Sequence, residues 1–317
     1  MLFVTGKCER SCFYCPLSEE RRGRDLVFAD EMPVQEISDI LREASAIEAL
    51  GTGITGGEPL LKLDYVLECI RAIKGALGQS HHIHLYTGLL PSVAVLERLK
   101  QAGLDEIRFH PPISEWSHPV GLKEAPRQAK ALGLIAGVEI PSIKQAPAII
   151  EAVRDADAFL NVNELEFSET NYAGLAAQGF LPGDLGSGAI GSEEVARKHF
   201  LKDDLKAHFC PSCFKDAVQL KERLLRRASR TARPFDYVSD EGTIIHGIIE
   251  GDVQAAMQIL GDLAVPQEMY SCRVGRIDIA APILEDITKE LKSVKCILSI
   301  IEKYPFEDGL VVERIPL

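Results

Sequence analysis

Leu2-Phe3-Val4-Thr5-Gly6-Lys7-Cys8-Glu9-Arg10-Ser11-Cys12-Phe13-Tyr14-Cys15-Pro16 opens the chain, a short apolar run feeding a loop that carries three cysteines spaced C-x3-C-x2-C. Three buried core cysteines would not need a loop that also holds Glu9, Arg10 and Ser11. A structural zinc site would want a fourth ligand and more usually C-x2-C pairs. Three thiolates on a four-iron cube leave one iron without a protein ligand, whereas electron-transfer clusters are normally closed by four cysteines. An open coordination position is what catalysis at a metal requires. Cys8, Cys12 and Cys15 are therefore the candidate ligands of one [4Fe–4S] cluster.

Outward from this loop, short apolar runs alternate with helical patterns. Strands are expected at 2–5, 52–55, 82–87, 106–110, 134–140 and 159–167, and helices at 33–49, 61–77, 91–102, 122–132 and 146–156. Pro126 weakens the fourth helix. Six β-α units in series imply a parallel sheet with helices outside it. The predicted fold class is α/β, a partial (βα)6 TIM-type barrel with a small C-terminal α+β domain. Residues 171–191, rich in glycine and small side chains, read as a long loop, and 205–209 as a shorter seventh strand. A long basic helix follows from Lys215 to Arg230, then a connection over 231–241. Beyond it strands are expected at 243–250, 269–280, 296–301 and 310–314, with helices at 252–263 and 282–291. The expected division is 1–213 for the barrel, 214–239 for the basic helix and connection, and 240–317 for the small domain.

Gly56-Gly57-Glu58-Pro59 closes the second strand. Glycines let a backbone approach a ligand closely, and a carboxylate offers acceptors to an ammonium group. With the cysteine triplet one strand and one helix earlier, the chain resembles the radical S-adenosylmethionine (SAM) superfamily. That family carries C-x3-C-x2-C after its first strand, an aromatic before the last cysteine, here Tyr14, and GGEP after its second. By motif order the resemblance covers residues 2–167. It implies a [4Fe–4S] cluster and SAM as cofactors, with Gly56, Gly57, Glu58 and Pro59 on SAM's methionine moiety. It also implies reductive cleavage of SAM to a 5′-deoxyadenosyl radical that takes hydrogen from a substrate. An electron donor such as ferredoxin or flavodoxin is the implied partner. The nearest flavour is the group related to pyruvate formate-lyase activating enzyme, whose members act on a partner protein.

Barrel enzymes place their sites at the carboxyl ends of strands. Thr87, Arg108, His110, Glu139 and Asn163 lie there, and the resemblance makes Thr87, Arg108 and His110 candidate cofactor contacts. Glu139, Glu166 and Cys210 are candidate catalytic groups. Glu164 and Glu166 share a face and would meet a cationic or hydroxylated substrate, or form a solvated rim. His82 and His84 also share a face, but at a strand's start, which reads as structural. Cys210-Pro211-Ser212-Cys213 would hold part of a second metal site, a redox pair or a lone thiol. Cys69 falls mid-helix and Cys272 and Cys296 in strands, so no fourth ligand is evident.

The chain is 46% hydrophobic and 26% charged, with a formal net charge of −12, which argues against a general polyanion-binding surface. Residues 215–233 are the exception, with Lys215, Lys221, Arg223, Arg226, Arg227, Arg230 and Arg233 against Asp216 and Glu222. Such a helix packs its apolar side and docks an anionic substrate, an RNA or an acidic protein, or pairs with the protein's own acidic surface. No apolar run is long enough for a membrane span and no export leader is evident, so the expected location is cytoplasmic. Met1 stands seven residues before the first cysteine, so either the barrel floor is bare or a natural segment precedes this one. The leading reading is a radical SAM enzyme with an unidentified substrate, a protein or small molecule. A radical SAM enzyme acting on tRNA or another RNA through the basic helix is the second, and a non-catalytic iron–sulfur carrier or sensor the third.

Overall fold

Seven strands lie parallel and side by side in chain order in the computed structural model, which describes residues 1–184 and 186–317 and, of Asp216, the backbone alone. They are Leu2–Phe3, Gly51–Thr55, His82–Thr87, Glu106–Phe109, Ile135–Pro141, Phe159–Asn163 and Ala207–Cys210. A small antiparallel hairpin, Phe28–Ala29 with Met32–Pro33, adds to the free side of the first strand. The sheet thus ends on that hairpin at one side and on Ala207–Cys210 at the other, giving an open, partial TIM-type barrel.

The period-two pattern decides which side chains enter the barrel. In His82–Thr87, Ile83, Leu85 and Thr87 are buried while His82, His84 and Tyr86 are half-buried. Phe159–Asn163 repeats this, with Leu160 and Val162 against the helices and Phe159, Asn161 and Asn163 on the other face. The apolar face packs against Leu63–Leu77, Val93–Ala102 and Pro147–Asp155, which contribute Val66, Leu67, Ile70, Ile73, Leu96, Leu99 and Ile149. Each such side chain stabilises by about 1.5–3 kcal/mol. Pro126 is tolerated because its helix, Glu124–Ala131, begins two residues later than expected and places it in the first turn, where no helical hydrogen bond is lost.

Three expectations for the barrel need correction. The sixth strand stops at Asn163, because Leu165 and Phe167 donate their amides to Ser192 Oγ and the Ser187 carbonyl instead of to a neighbouring strand. The stretch read as loop holds a short helix, Tyr172–Ala177, with Leu175 buried; Leu185, also within that reading, lies outside the described residues. A helix at Ser192–His199 was not expected, although its charges follow the helix dipole, with Glu193 and Glu194 first and Arg197, Lys198 and His199 last.

Contacts divide the chain into two units, Met1–Ser45 with Ala49–Asp216, and Ala46–Glu48 with Ala217–Leu317. In the second, Ile244–Glu250 is flanked antiparallel by Arg276–Ile279 and Ile297–Lys303, with Tyr270–Arg273 and Val311–Pro316 outside them, and Tyr237–Val238 pairs directly with its first two residues. Helices Val253–Asp262, Ala281–Asp286 and Thr288–Lys292 pack Leu260, Leu284 and Leu291 onto Ile249, Ile277, Ile279 and Leu298. The strand expected over 269–280 is a hairpin turning at Val274-Gly275, where Gly275 has φ 77°. The helix expected over 282–291 is two short helices.

The basic segment is π-helical over Lys215–Leu220 and α-helical over Lys221–Thr231. The part from Ala217 onward belongs to the second unit. The side chain of Asp216, counted among its acids, lies outside the described residues. Within this unit Lys221 pairs with Glu241, Arg230 with Glu48 and Arg233 with Asp236 and Asp278, while Arg226 and Arg227 donate to the Ile47 and Pro305 carbonyls.

Candidate active site

The cysteine loop leaves the first strand at its carboxyl end. All three thiols are free, Cys8 exposed and Cys12 and Cys15 half-buried. The Arg10 amide donates to Cys8 Sγ at 3.5 Å, and Cys15 N to the Cys12 carbonyl at 3.1 Å, closing a turn that holds the last two cysteines together.

The Gly-Gly-Glu segment lies directly against the start of this loop. Gly57 N donates to the Thr5 carbonyl at 2.6 Å and Glu58 N to the Lys7 carbonyl at 2.8 Å. A Cβ on Gly56 would lie 2.6 Å from the Thr5 oxygen, and one on Gly57 would lie 2.7 Å from the Lys7 carbonyl carbon. The two glycines therefore leave the room in which the cysteine loop is seated. Pro59 is buried and opens the 3₁₀ turn Pro59–Lys62.

Glu58 is buried and well supplied with donors. Its Oε1 accepts from Thr87 Oγ1 at 2.7 Å and Leu60 N at 3.1 Å, and its Oε2 from Gly88 N at 2.8 Å. Thr87, expected as a cofactor contact, is thus a support for Glu58, and its Oγ1 also accepts from Leu89 N.

Two further ties come from the loop itself. Arg10 donates Nη1 to the His110 carbonyl at 3.0 Å and Nη2 to the Gly88 carbonyl, joining the loop to two strand ends. Tyr14 Oη lies 3.1 Å from His110 Nε2. Burial, with the Cys12 thiol beside it, pushes the Tyr14 hydroxyl up, and burial pushes the His110 imidazole down. On the far side Asn171, buried, donates Nδ2 to the Tyr14 carbonyl at 3.1 Å and to the Glu166 carbonyl at 2.9 Å. Sequence reasoning assigned no role to Arg10 or Asn171. The one available signal for Arg10 was a cation placed between two cluster cysteines.

Arg108 and Glu139 belong to a second group, on the inner face of the barrel strands. Arg108 bonds Glu106 at 2.5 Å, Tyr86 Oη at 3.0 Å and Glu139 Oε2 at 3.0 Å. Glu139 also accepts from Asn161 Nδ2 at 3.3 Å and Asn163 Nδ2 at 2.7 Å. Burial works against the Arg108 charge, but Tyr86, Glu106 and Glu139 outweigh it and raise its pKa. Glu106, Tyr86 and Asn161 were not singled out beforehand. Parallel register places Tyr86 opposite Arg108 and Asn161 opposite Glu139, while Glu106 stands two residues before Arg108 on the same strand.

Glu166 and Cys210 adjoin these groups, Glu166 through its carbonyl on Asn171 and Cys210 in register with Asn163. Glu166 pairs with Lys215, and Glu164 accepts from Ser212 N at 2.7 Å and Ser212 Oγ at 2.8 Å. Burial pushes the Cys210 thiol up while Lys215 acts against it. Among the described residues, no helix is long and apolar enough to cross a membrane.

The family model of the radical SAM superfamily matches residues 2–112, and that of a domain of unknown function, DUF8061, matches residues 242–317. A protein of Methanocaldococcus jannaschii provisionally named a glycyl-radical enzyme activating enzyme is 37% identical, over all of this chain and 89% of its own length. A protein of Pyrococcus horikoshii provisionally named a GTP 3′,8-cyclase is 34% identical over 33% of this chain and 31% of its own. The FeFe-hydrogenase maturase HydG from Carboxydothermus hydrogenoformans superposes on 53% of this chain and 44% of its own with a TM-score of 0.37 and 19% identity. Radical SAM enzymes use a [4Fe–4S] cluster and S-adenosylmethionine. The chain is an enzyme and belongs to the radical SAM superfamily.

Proposed function

We propose that Cys8, Cys12 and Cys15 hold the [4Fe–4S] cluster and that the enzyme takes a hydrogen atom from a residue of a partner protein. The observation that carries this reading is the three free thiols on one loop, seated on the Gly56-Gly57 backbone at the carboxyl end of a parallel strand. The donor set suits the group, since three soft thiolates suit iron–sulfur ligation and leave one metal position unfilled. When bound, the cluster with SAM supplies a 5′-deoxyadenosyl radical, with the electron coming from a ferredoxin or flavodoxin.

The chain's own residues bind and orient. Gly56 and Gly57 let the backbone close on the cysteine loop, and Glu58 fixes that backbone to the Thr87-Gly88 strand end. Arg10 and the Tyr14–His110 contact set the loop against two strand ends. Arg108, Tyr86, Glu139, Asn161 and Asn163 form the polar inner wall presented to the substrate. A protein substrate is favoured by the full-length likeness to a protein provisionally named an activating enzyme. In the basic segment Lys221 and Arg230 pair with acids of their own unit, Arg233 with Asp236 and Asp278, and Arg226 and Arg227 with carbonyls, which supports the reading of this segment as pairing with the protein's own surface.

Anaerobic reconstitution with iron and sulfide, reduction with dithionite and assay for 5′-deoxyadenosine from added SAM is the test. Wild type is expected to form it and Cys12→Ala not to. Formation by both, or by neither when the cluster is assembled, overturns the assignment.

A further inference from the structure

At the opposite ends of the barrel strands, away from the cysteine loop, two imidazoles and a carboxylate come together. His82 and His84 stand two residues apart on one strand and so face the same way, toward the barrel interior. Glu106 opens the neighbouring strand and is in register with His84. One donor atom from each of the three lies within 4.8 Å of the other two. His82 Nε2 is 3.4 Å from Glu106 Oε2, and the two imidazole centroids are 6.0 Å apart.

We propose that His82, His84 and Glu106 bind one divalent first-row transition-metal ion at the amino-terminal mouth of the barrel. Two histidines and one carboxylate, with positions left for water, are a recurrent donor set for zinc and its neighbours. The residues around them are arranged as an outer shell should be. Glu106 gives its Oε1 to Arg108 and turns Oε2 toward His82. Tyr86 Oη lies 3.2 Å from His84 Nε2 and accepts from Arg108 Nη1, which fixes the orientation of the His84 ring. On the adjacent strand, residue 53 is in register with His84, and a Cβ there would lie 2.6 Å from His84 Nε2, so Gly53 provides the space for that ring.

Local charge permits a cation. Among the described residues Arg108 is the guanidinium bonded to these donors, and it is shared between Glu106 and Glu139, so this group carries a net negative charge before any ion binds. The Met1 ammonium nearby is paired with Asp30 at 2.7 Å. The reading of His82 and His84 as merely structural rested on one strand and could not include Glu106, which lies 22 residues further along the chain.

The test uses the cluster-loaded full chain, dialysed anaerobically against zinc and then against metal-free buffer, with zinc and iron counted per chain. Wild type is expected to retain about one zinc beside about four irons. Zinc X-ray absorption should show nitrogen and oxygen ligands at about 2.0–2.1 Å with imidazole scattering, and no sulfur at about 2.3 Å. His84→Ala and Glu106→Gln should each lose at least about tenfold in zinc affinity while keeping wild-type iron, which serves as the folding control. A Cys210→Ser, Cys213→Ser variant should keep the zinc. The proposal is overturned if wild type retains no more zinc than His84→Ala, or if the bound zinc carries sulfur. Should His84→Ala fail to fold, the wild-type absorption spectrum and Glu106→Gln decide the matter.

Discussion

Gly57→Ala puts the seating of the cysteine loop to the test. A methyl group at 57 would press on the Lys7 carbonyl oxygen, 2.7 Å from its carbon and 2.8 Å from the Gly6 oxygen. All of these are backbone atoms, so no side chain can swing aside. Restoring ordinary contact means parting the two segments by roughly 1 Å. That separation stretches Gly57 N to Thr5 O and Glu58 N to Lys7 O, two bonds worth about 1 kcal/mol each. Overpacking adds about 1–3 kcal/mol, for a loss of about 3–5 kcal/mol. The loss falls on the loop, so iron retained after anaerobic reconstitution should drop with the unfolding temperature. Gly75→Ala is the matched control, since residue 75 lies inside helix Leu63–Leu77 with nothing within 4 Å of the added methyl. It should stabilise by about 1 kcal/mol and leave iron content unchanged. Full iron and a wild-type unfolding temperature in Gly57→Ala would refute the close-approach argument.

Arg10→Lys keeps the charge but cannot fork across the Gly88 and His110 carbonyls, so 5′-deoxyadenosine formation should fall at least about tenfold; an unchanged rate removes Arg10 from the positioning set. Glu58→Gln is nearly isosteric, yet its amide nitrogen must meet an N–H or O–H donor on one side, costing about 1–3 kcal/mol by thermal unfolding, with SAM binding weakened in parallel. Burial alone would push the Asp236 and Asp278 carboxyls up, but His246 and Arg233 at Asp236, and Arg233 and His246 at Asp278, hold both below the usual range. A carboxyl with a depressed folded pKa contributes stability that is present above its unfolded value, about 4, and lost as pH falls toward the folded one. Asp236→Asn should therefore be less stable near neutrality and should lose less than wild type between about pH 5 and pH 3 by calorimetry; parallel curves for the two proteins would contradict this.

What the sequence disclosed and what it withheld follow from the range of each interaction. Strand and helix positions came from periods of two and 3.6, which any short window carries, and helix 91–102 and strand 82–87 were placed within two residues. The cysteine triplet and Gly56-Gly57-Glu58-Pro59 were legible because their chemistry is local in the chain. Arg10 was not, since its acceptors lie 78 and 100 residues away and only the register of two parallel strands brings them near. Arg108 and Glu139 were noticed singly, but their meeting across 31 residues depends on the same register. The hairpin at Val274-Gly275 was missed because polar and apolar residues alternate on both sides of the turn, as they would along one strand, and Gly275 is the one turn-forming residue between them.

The way the cysteine loop is held bears on how the cluster and the fold depend on each other. Small metal domains are often unfolded without their ion, because the ligands have little else to hold them. Here the loop is fixed by Gly57 and Glu58 amides, by Arg10, by Tyr14 against His110 and by Asn171 on the Tyr14 carbonyl, none of which uses a cysteine side chain. The thiols themselves are exposed at Cys8 and half-buried at Cys12 and Cys15, and of the three only Cys12 packs against a buried apolar cluster, among the described residues. The barrel core, with Leu85, Ile107, Val138 and Leu160 fully buried, owes nothing to the loop's sulfurs. It follows that the cluster-free protein stays folded, and that cluster-free Cys12→Ala unfolds within a few degrees of cluster-free wild type, since substitutions at such sites cost about 0.5 kcal/mol. Circular dichroism melts of the two apo proteins measure this. If removing iron from the wild type abolishes its cooperative transition, the metal rather than the backbone holds the loop, and loss of SAM cleavage in Cys12→Ala would report unfolding instead of a missing ligand.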